Sequence, residues 1–188
     1  MKELLVTSGF PRSGNTYLNH ALNLLYYPEQ EVNSNRHTVA AIEKTNQIIV
    51  TLRSPEDSIA SWHTYQSGGQ LESDIKFYIR FYSAVLDNLS KVVLMDFDYF
   101  TKDIDYIKDK VLKNFGIDTG RYVTDVQIKE AMLVSNKKIN LPRNNKEELD
   151  AVKQQLVDIV GLDQCVELYN QLKLHNPSSL YPTGIWKS

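Results

Sequence analysis

The residues best suited to chemistry stand near the amino terminus. The run is Leu4-Leu5-Val6-Thr7-Ser8-Gly9-Phe10-Pro11-Arg12-Ser13-Gly14-Asn15-Thr16-Tyr17-Leu18. Apolar residues lead into a tight turn, and the turn opens a stretch with helical periodicity. Gly9 and Gly14 can take backbone angles closed to other residues. Ser13, Gly14, Asn15 and Thr16 would then aim successive backbone N–H groups at one point, at the positive end of a helix. That is an anion site, and phosphate is its usual anion. Arg12 adds a cation inside the turn. A second candidate is Arg53, which follows the apolar run Ile48-Ile49-Val50-Thr51-Leu52. Its planar fork can grip a phosphate through two N–H groups. The plain alternatives are a strand–turn–helix corner without a ligand at the first place, and an ion pair with Asp57 or Glu56 at the second.

The first stretch nearly has the phosphate-loop spacing G-x-x-x-x-G-K-[ST]. It runs Gly9, four residues, Gly14, Asn15, Thr16. Asn15 takes the lysine position, and the cation stands three residues earlier at Arg12. Hydrolysis of ATP or GTP needs that lysine on the β- and γ-phosphates, so ordinary NTPase chemistry is disfavoured.

Placing these groups requires strands that end where the loops begin. Leu4 to Thr7 reads as a buried parallel strand, and Asn15 to Tyr26 as a helix with Leu18, Leu22 and Leu25 on one face, ended by Pro28. Glu31 to Asn35 reads as a second, polar strand, and Val39 to Lys44 as a short helix. Gln47 to Arg53 is the clearest strand of the chain. Ser54-Pro55-Glu56-Asp57 then opens a helix to about Tyr65, with Ser54 as its cap and Pro55 in its first position. Asp74 to Leu89 is a long amphipathic helix with Ile75, Tyr78, Tyr82, Val85, Leu86 and Leu89 inward. A strand over Lys91 to Phe97 follows, then helices at Asp103 to Phe115, about Asp125 to Val134, Lys146 to Val160 and Asp163 to Leu172. Strands alternating with helices imply an α/β fold. It is a three-layer arrangement, a parallel sheet of about four to five strands flanked by helices, with phosphate-loop-like topology. Ligands in such sheets bind at the carboxyl ends of the strands. The turn after Thr7, the segment around His37 and the turn after Leu52 all lie at such ends.

Size and composition narrow the class. At 188 residues the chain reads as a single domain, 1–188. A net charge of −2 argues against a general nucleic-acid binder, which is normally basic. The single cysteine, Cys165, excludes an internal disulfide and a cysteine zinc site, and its apolar helical setting marks a buried thiol. The start Met-Lys-Glu-Leu-Leu-Val-Thr has too short an apolar run for a signal peptide, and no stretch approaches the ~20 apolar residues of a membrane span. The chain therefore reads as cytoplasmic.

Pro11-Arg12-Ser13-Gly14-Asn15-Thr16-Tyr17-Leu18 resembles the 5′-phosphosulfate loop of PAPS-dependent sulfotransferases, usually P-[KR]-S-G-[TS]-T-W-L. Asn15 replaces Thr or Ser, and Tyr17 replaces Trp. Ile48 to His63 resembles the family's 3′-phosphate motif, an apolar strand, then R-[DN]-P-x-D, then a serine eight residues after the arginine. Arg53 and Ser61 fall on that arginine and serine. Ser61 lies about two helical turns on, so it faces the helix start only if the chain folds back. Arg36-His37-Thr38 stands where the family carries a lysine–threonine–histidine segment. Val92 to Phe100 resembles its strand-plus-acid segment, and Gly184-Ile185-Trp186-Lys187 its G-x-W-K segment. Lys137, Lys138 and Arg143 form a basic stretch that is either another source of 3′-phosphate contacts or a solvated loop.

The resemblance implies a donor, PAPS, whose sulfuryl group moves to a hydroxyl or amine and leaves PAP. The N–H groups from Ser13 to Thr16 would hold the 5′-phosphate, with Gly14 and Asn15 between them, and Thr16 would add its hydroxyl. Arg12 would offset charge on the leaving phosphate oxygen. Tyr17 would stack on or flank the adenine, and Arg53 and Ser61 would bind the 3′-phosphate. His37 would take the acceptor's proton, its side chain being suited to that near neutral pH. His20, His63 and His175 stand in less suitable places. No metal is needed. Small-molecule, sugar and lipid acceptors are all compatible, as is a homo-oligomer. The rivals are a nucleoside or nucleotide kinase of the P-loop class, and a non-catalytic nucleotide-binding domain.

Overall fold

A computed structural model describes residues 4–34, 37–66, 69–135 and 146–176. The strands are β1 (Leu4–Gly9), β2 (Glu31–Ser34), β3 (Ile48–Leu52) and β4 (Val92–Asp96). All pair in parallel, in the order β2-β1-β3-β4. The sheet thus has four strands among the described residues, the lower of the two numbers expected. β3 is buried along its whole length, as its unbroken apolar run requires. β2 lies at one edge with mostly exposed side chains, which explains its polar sequence.

Alternate side chains of the strands feed two cores. Val6, Ile48, Val50, Leu52 and Leu94 face one side. There they meet α2 (Val39–Lys44), α3 (Pro55–Tyr65), α4 (Leu71–Asp87), α8 (Lys146–Val157) and α9 (Leu162–Leu174). Leu5, Ile49, Val93 and Met95 face the other. They meet α1 (Asn15–Tyr26), the short α5 (Phe97–Phe100), α6 (Ile104–Phe115) and α7 (Asp125–Ser135). Leu18, Leu22 and Leu25 of α1 are fully buried, spaced as one helical face. Cys165 is buried in the first core, and burial pushes its thiol up to about 12.

Local signals account for most boundaries. Ser54 Oγ accepts from the Asp57 N–H, and Pro55 sits in the first turn of α3. Gly116 ends α6 in the left-handed region at φ 68°. α4 begins a turn earlier than its apolar pattern predicts, because Leu71 is itself buried, and it stops at Asp87, where a single 3₁₀ turn over Leu89–Lys91 leads into β4. Its inward face also includes Phe81. α8 stops at Val157, short of the expected Val160, and Gly161 at φ 103° turns the chain into α9. Among the described residues no helix is long and apolar enough to cross a membrane.

The strand order fixes where the connections change direction. From β1 the chain crosses through α1 to β2 on one side. From β3 it continues through α3 and α4 to β4 on the other. Connections that leave adjacent strands in opposite directions put the topological switch point at the carboxyl ends of β1 and β3.

Candidate functional site

The turn after β1 is anchored from below. Phe10 is fully buried, with its ring 5.2 Å from that of Phe77 and 5.1 Å from that of Tyr78 on α4. The Ser13 N–H donates to the Phe10 carbonyl at 3.2 Å. Arg12 lies in the left-handed region at φ 64°, uncommon for a residue with a side chain, and Gly14 follows at φ 89°. A Cβ at Gly9 would strike Thr51 Oγ1, Asn15 Oδ1 and Ser13 Oγ, so glycine there makes room for three polar side chains.

Those three side chains bond to one another and to the turn. Asn15 Nδ2 donates to the Phe10 carbonyl at 2.8 Å, and Thr51 Oγ1 donates to Asn15 Oδ1 at 2.8 Å. Ser13 Oγ donates to the Phe10 carbonyl at 2.5 Å and lies 2.6 Å from Thr51 Oγ1. The Asn15 amide, at the lysine position of the spacing motif, is therefore folded into the loop. What the loop offers a ligand is backbone. Gly14 caps α1 without a side-chain hydrogen bond, and the first intrahelical bond runs from the Leu18 N–H to the Gly14 carbonyl at 3.0 Å. The N–H groups of Asn15, Thr16 and Tyr17 precede that bond and have no carbonyl acceptor within the helix. No acidic side chain stands in the first turn of α1 to offset its positive end.

Arg53 emerges from β3 straight at this loop. Its Nη1 donates to the Arg12 carbonyl at 2.8 Å, and its guanidinium lies 4.4 Å from the centre of the Phe97 ring. Its Nε is buried without a hydrogen-bond partner among the described residues. The ion pair with Asp57 or Glu56 is not formed within 4 Å. Asp57 is held instead by Lys153 Nζ at 2.5 Å and by the Ser54 hydroxyl at 3.0 Å. Burial lowers the pKa of Arg53, Asp57 opposes that, and the neighbouring Arg12 charge lowers it further. A cation in such surroundings is strengthened by an anion. Below it, Tyr78 and Tyr82 donate their hydroxyls to the Arg53 and Thr51 carbonyls at 3.1 and 2.8 Å, fixing the end of β3.

Ser61 reaches the loop without any fold-back, because α3 runs alongside it. Arg12 Nε donates to Ser61 Oγ at 3.2 Å, and the Arg12 guanidinium lies 5.2 Å from the centre of the Tyr65 ring, one turn further along α3. His37 closes the other flank, with its Nδ1 2.5 Å from the Gly9 carbonyl. A carbonyl only accepts, so Nδ1 carries a proton here, and Nε2 is the other nitrogen of the ring.

The structure thus brings Arg12, Ser13, Gly14, Asn15, His37, Arg53 and Ser61 together at the carboxyl ends of β1 and β3. Thr16 lies half-buried in the first turn of α1. Tyr17 joins a different neighbourhood. Its hydroxyl donates to Asp125 Oδ1 at 3.0 Å, its ring lies 6.1 Å from that of Phe100, and burial followed by Asp125 raises its pKa well above the ordinary range. Arg36, Gly68, Lys137, Lys138, Arg143 and the segment 184–187 lie outside the described residues. Sequence reasoning passed over Thr51, Tyr65 and Phe97. Thr51 was visible only as the one hydroxyl in an apolar strand, and Tyr65 only as the residue four beyond Ser61. Among the described residues no group of three or more His, Cys, Asp or Glu side chains could hold a metal ion.

No family model matches the chain, and no curated protein shows significant similarity to it.

Proposed function

We propose that the protein binds PAPS across the β1/β3 crevice and transfers its sulfuryl group to a hydroxyl or amine, releasing PAP. One observation carries the reading. Arg53 reaches from the end of β3 to the anion loop after β1, its buried Nε without a partner among the described residues, and Arg12 stands beside it. Two neighbouring arginine charges beside a helix start that has no side-chain cap suit a ligand with several negative charges. In this reading the fold is a phosphate-loop relative. The loop N–H groups hold the 5′-phosphate, and Arg53 with Ser61 grips the 3′-phosphate.

The chemistry follows from the charges. The acceptor oxygen or nitrogen attacks sulfur while the bond from sulfur to the bridging oxygen breaks, and the electron pair leaves with that oxygen as PAP. The acceptor's proton passes to His37 Nε2, whose ring is oriented by the Nδ1–H bond to Gly9. Arg12 stabilises the charge that grows on the departing phosphate oxygen. Asn15 argues against the kinase alternative, since its amide is committed to Phe10 and Thr51 and no lysine among the described residues bonds to the loop.

Calorimetric titration with PAP, repeated with 3′-dephosphorylated PAP, tests the reading. PAP binds at least tenfold more tightly if Arg53 holds the 3′-phosphate. Equal affinity removes that assignment. Stabilisation by ATP–Mg²⁺ but not by PAP gives the site to a kinase, and tight PAP binding without turnover leaves a non-catalytic nucleotide-binding domain.

A further inference from the structure

We infer that Thr51 is a positioning residue for the anion loop, a bolt from β3 that sets the direction of the loop's N–H groups before any ligand arrives. The inference rests on the reading of that loop as the 5′-phosphate site. Thr51 is fully buried, in a strand whose other members are Ile48, Ile49, Val50 and Leu52. Valine has nearly the same shape and would suit that strand better, because a buried hydroxyl costs free energy unless it is bonded. The Thr51 hydroxyl donates to Asn15 Oδ1 and lies 2.6 Å from Ser13 Oγ, so both of its polar contacts are with the loop. These two residues flank Gly14, the cap of α1. The sheet register sets Thr51 opposite Gly9, where only glycine leaves space for the cluster. Two residues further along the same strand direction, Arg53 holds the Arg12 carbonyl. β3 therefore grips the turn at two points, on either side of Ser13.

The consequence for binding is preorganisation. A loop held in its bound shape loses less conformational freedom when the anion enters, and that gain appears as affinity. It also gives Asn15 a role that the lysine of a hydrolytic loop does not have. The residue at this position points inward to complete the bolt.

The test uses the whole chain, with Thr51→Val to remove the hydroxyl and Thr51→Ser to keep it. PAP affinity is measured by calorimetry well below the melting temperature, and hydrogen exchange of the loop amides of Ser13 and Leu18, bonded to the Phe10 and Gly14 carbonyls, is measured without ligand. Thr51→Val should weaken PAP binding about tenfold and raise exchange in the loop, while Thr51→Ser stays within about threefold and keeps the protection. A role in fold stability alone would lower the melting temperature and leave the affinity of the folded protein unchanged, and that result overturns the inference. If wild type shows no affinity for PAP, the functional reading fails separately, and the exchange measurement decides on Thr51, with unchanged protection in Thr51→Val refuting it. Should Thr51→Val not fold, Asn15→Ala breaks the same bond from the loop side and must raise the same exchange.

Discussion

Arg12 combines a strained backbone with a well-held side chain. Its left-handed φ of 64° costs on the order of 1–3 kcal/mol for a residue with a Cβ. The Arg53 bond to its carbonyl and its own bond to Ser61 keep it there. Asparagine tolerates that conformation better. Arg12→Asn is therefore expected to melt no lower than wild type while losing about tenfold or more in PAP affinity, with calorimetry and titration as the paired measurements. Gly14 is the opposite case. A side chain there faces both φ 89° and the rings of Phe97 and Phe100, so Gly14→Ala should cost about 2 kcal/mol and lower Tm by about 4–8 °C. His37→Ala should slow PAP release from PAPS, with water as acceptor, by about 100-fold, and change PAP affinity by less than threefold. Parallel losses in both would remove it from the proton-transfer step. At this scale the sequence was informative where a residue type has few other uses. Gly9, Gly14 and Arg53 stood out because glycine spacing and an arginine after an apolar strand are rare signals. Thr51 did not, because a threonine in a strand is what β propensity alone would supply.

The elements were more readable than the contacts between them. α1 and α2 have the limits expected from the sequence, and β3 differs by one residue at each end. α5 went unseen, since four residues over Phe97–Phe100 are too few to show a period. The pairing of elements also lay beyond the pattern. Nothing in the apolar spacing says that Lys173 on α9 reaches Asp96 at the end of β4, yet they form an ion pair with Asp96 fully buried. Breaking it from the lysine side strands a buried carboxylate. Lys173→Met should cost roughly 3 kcal/mol, and adding Asp96→Asn should recover part of that, read by thermal melting of the single and double variants.

For the molecule as a whole, titration on the α3, α8 and α9 side of the sheet ties stability to pH. Burial would raise the pKa of Asp57, but hydrogen bonds from Lys153 and Ser54 outweigh it and lower the value. That stabilisation is complete above the ordinary carboxylate range and is lost as pH falls through the folded-state pKa. Burial would lower the pKa of Lys173, but the bond to Asp96 prevails and raises it, so its contribution is complete below about 10 and lost at higher pH. Cys165 acts in the same direction. Burial, with the Glu56 charge adding to it, pushes the thiol up to about 12, so above about pH 9 only the unfolded chain ionises there. Melting temperature should form a plateau near neutral pH and fall on both sides, and Cys165→Ala should flatten the fall between about pH 9 and 11. A thiol reagent should label Cys165 only in denaturant. One ring ties this architecture to the site. Phe97 backs the Arg53 guanidinium, and it also fills the space beside the Gly14 Cα. The arginine and the glycine turn thus share a single wall, so neither half of the crevice can be retuned alone. Reshaping position 97 to admit a different anion at one half would shift the other, and any engineered change of donor must alter both together.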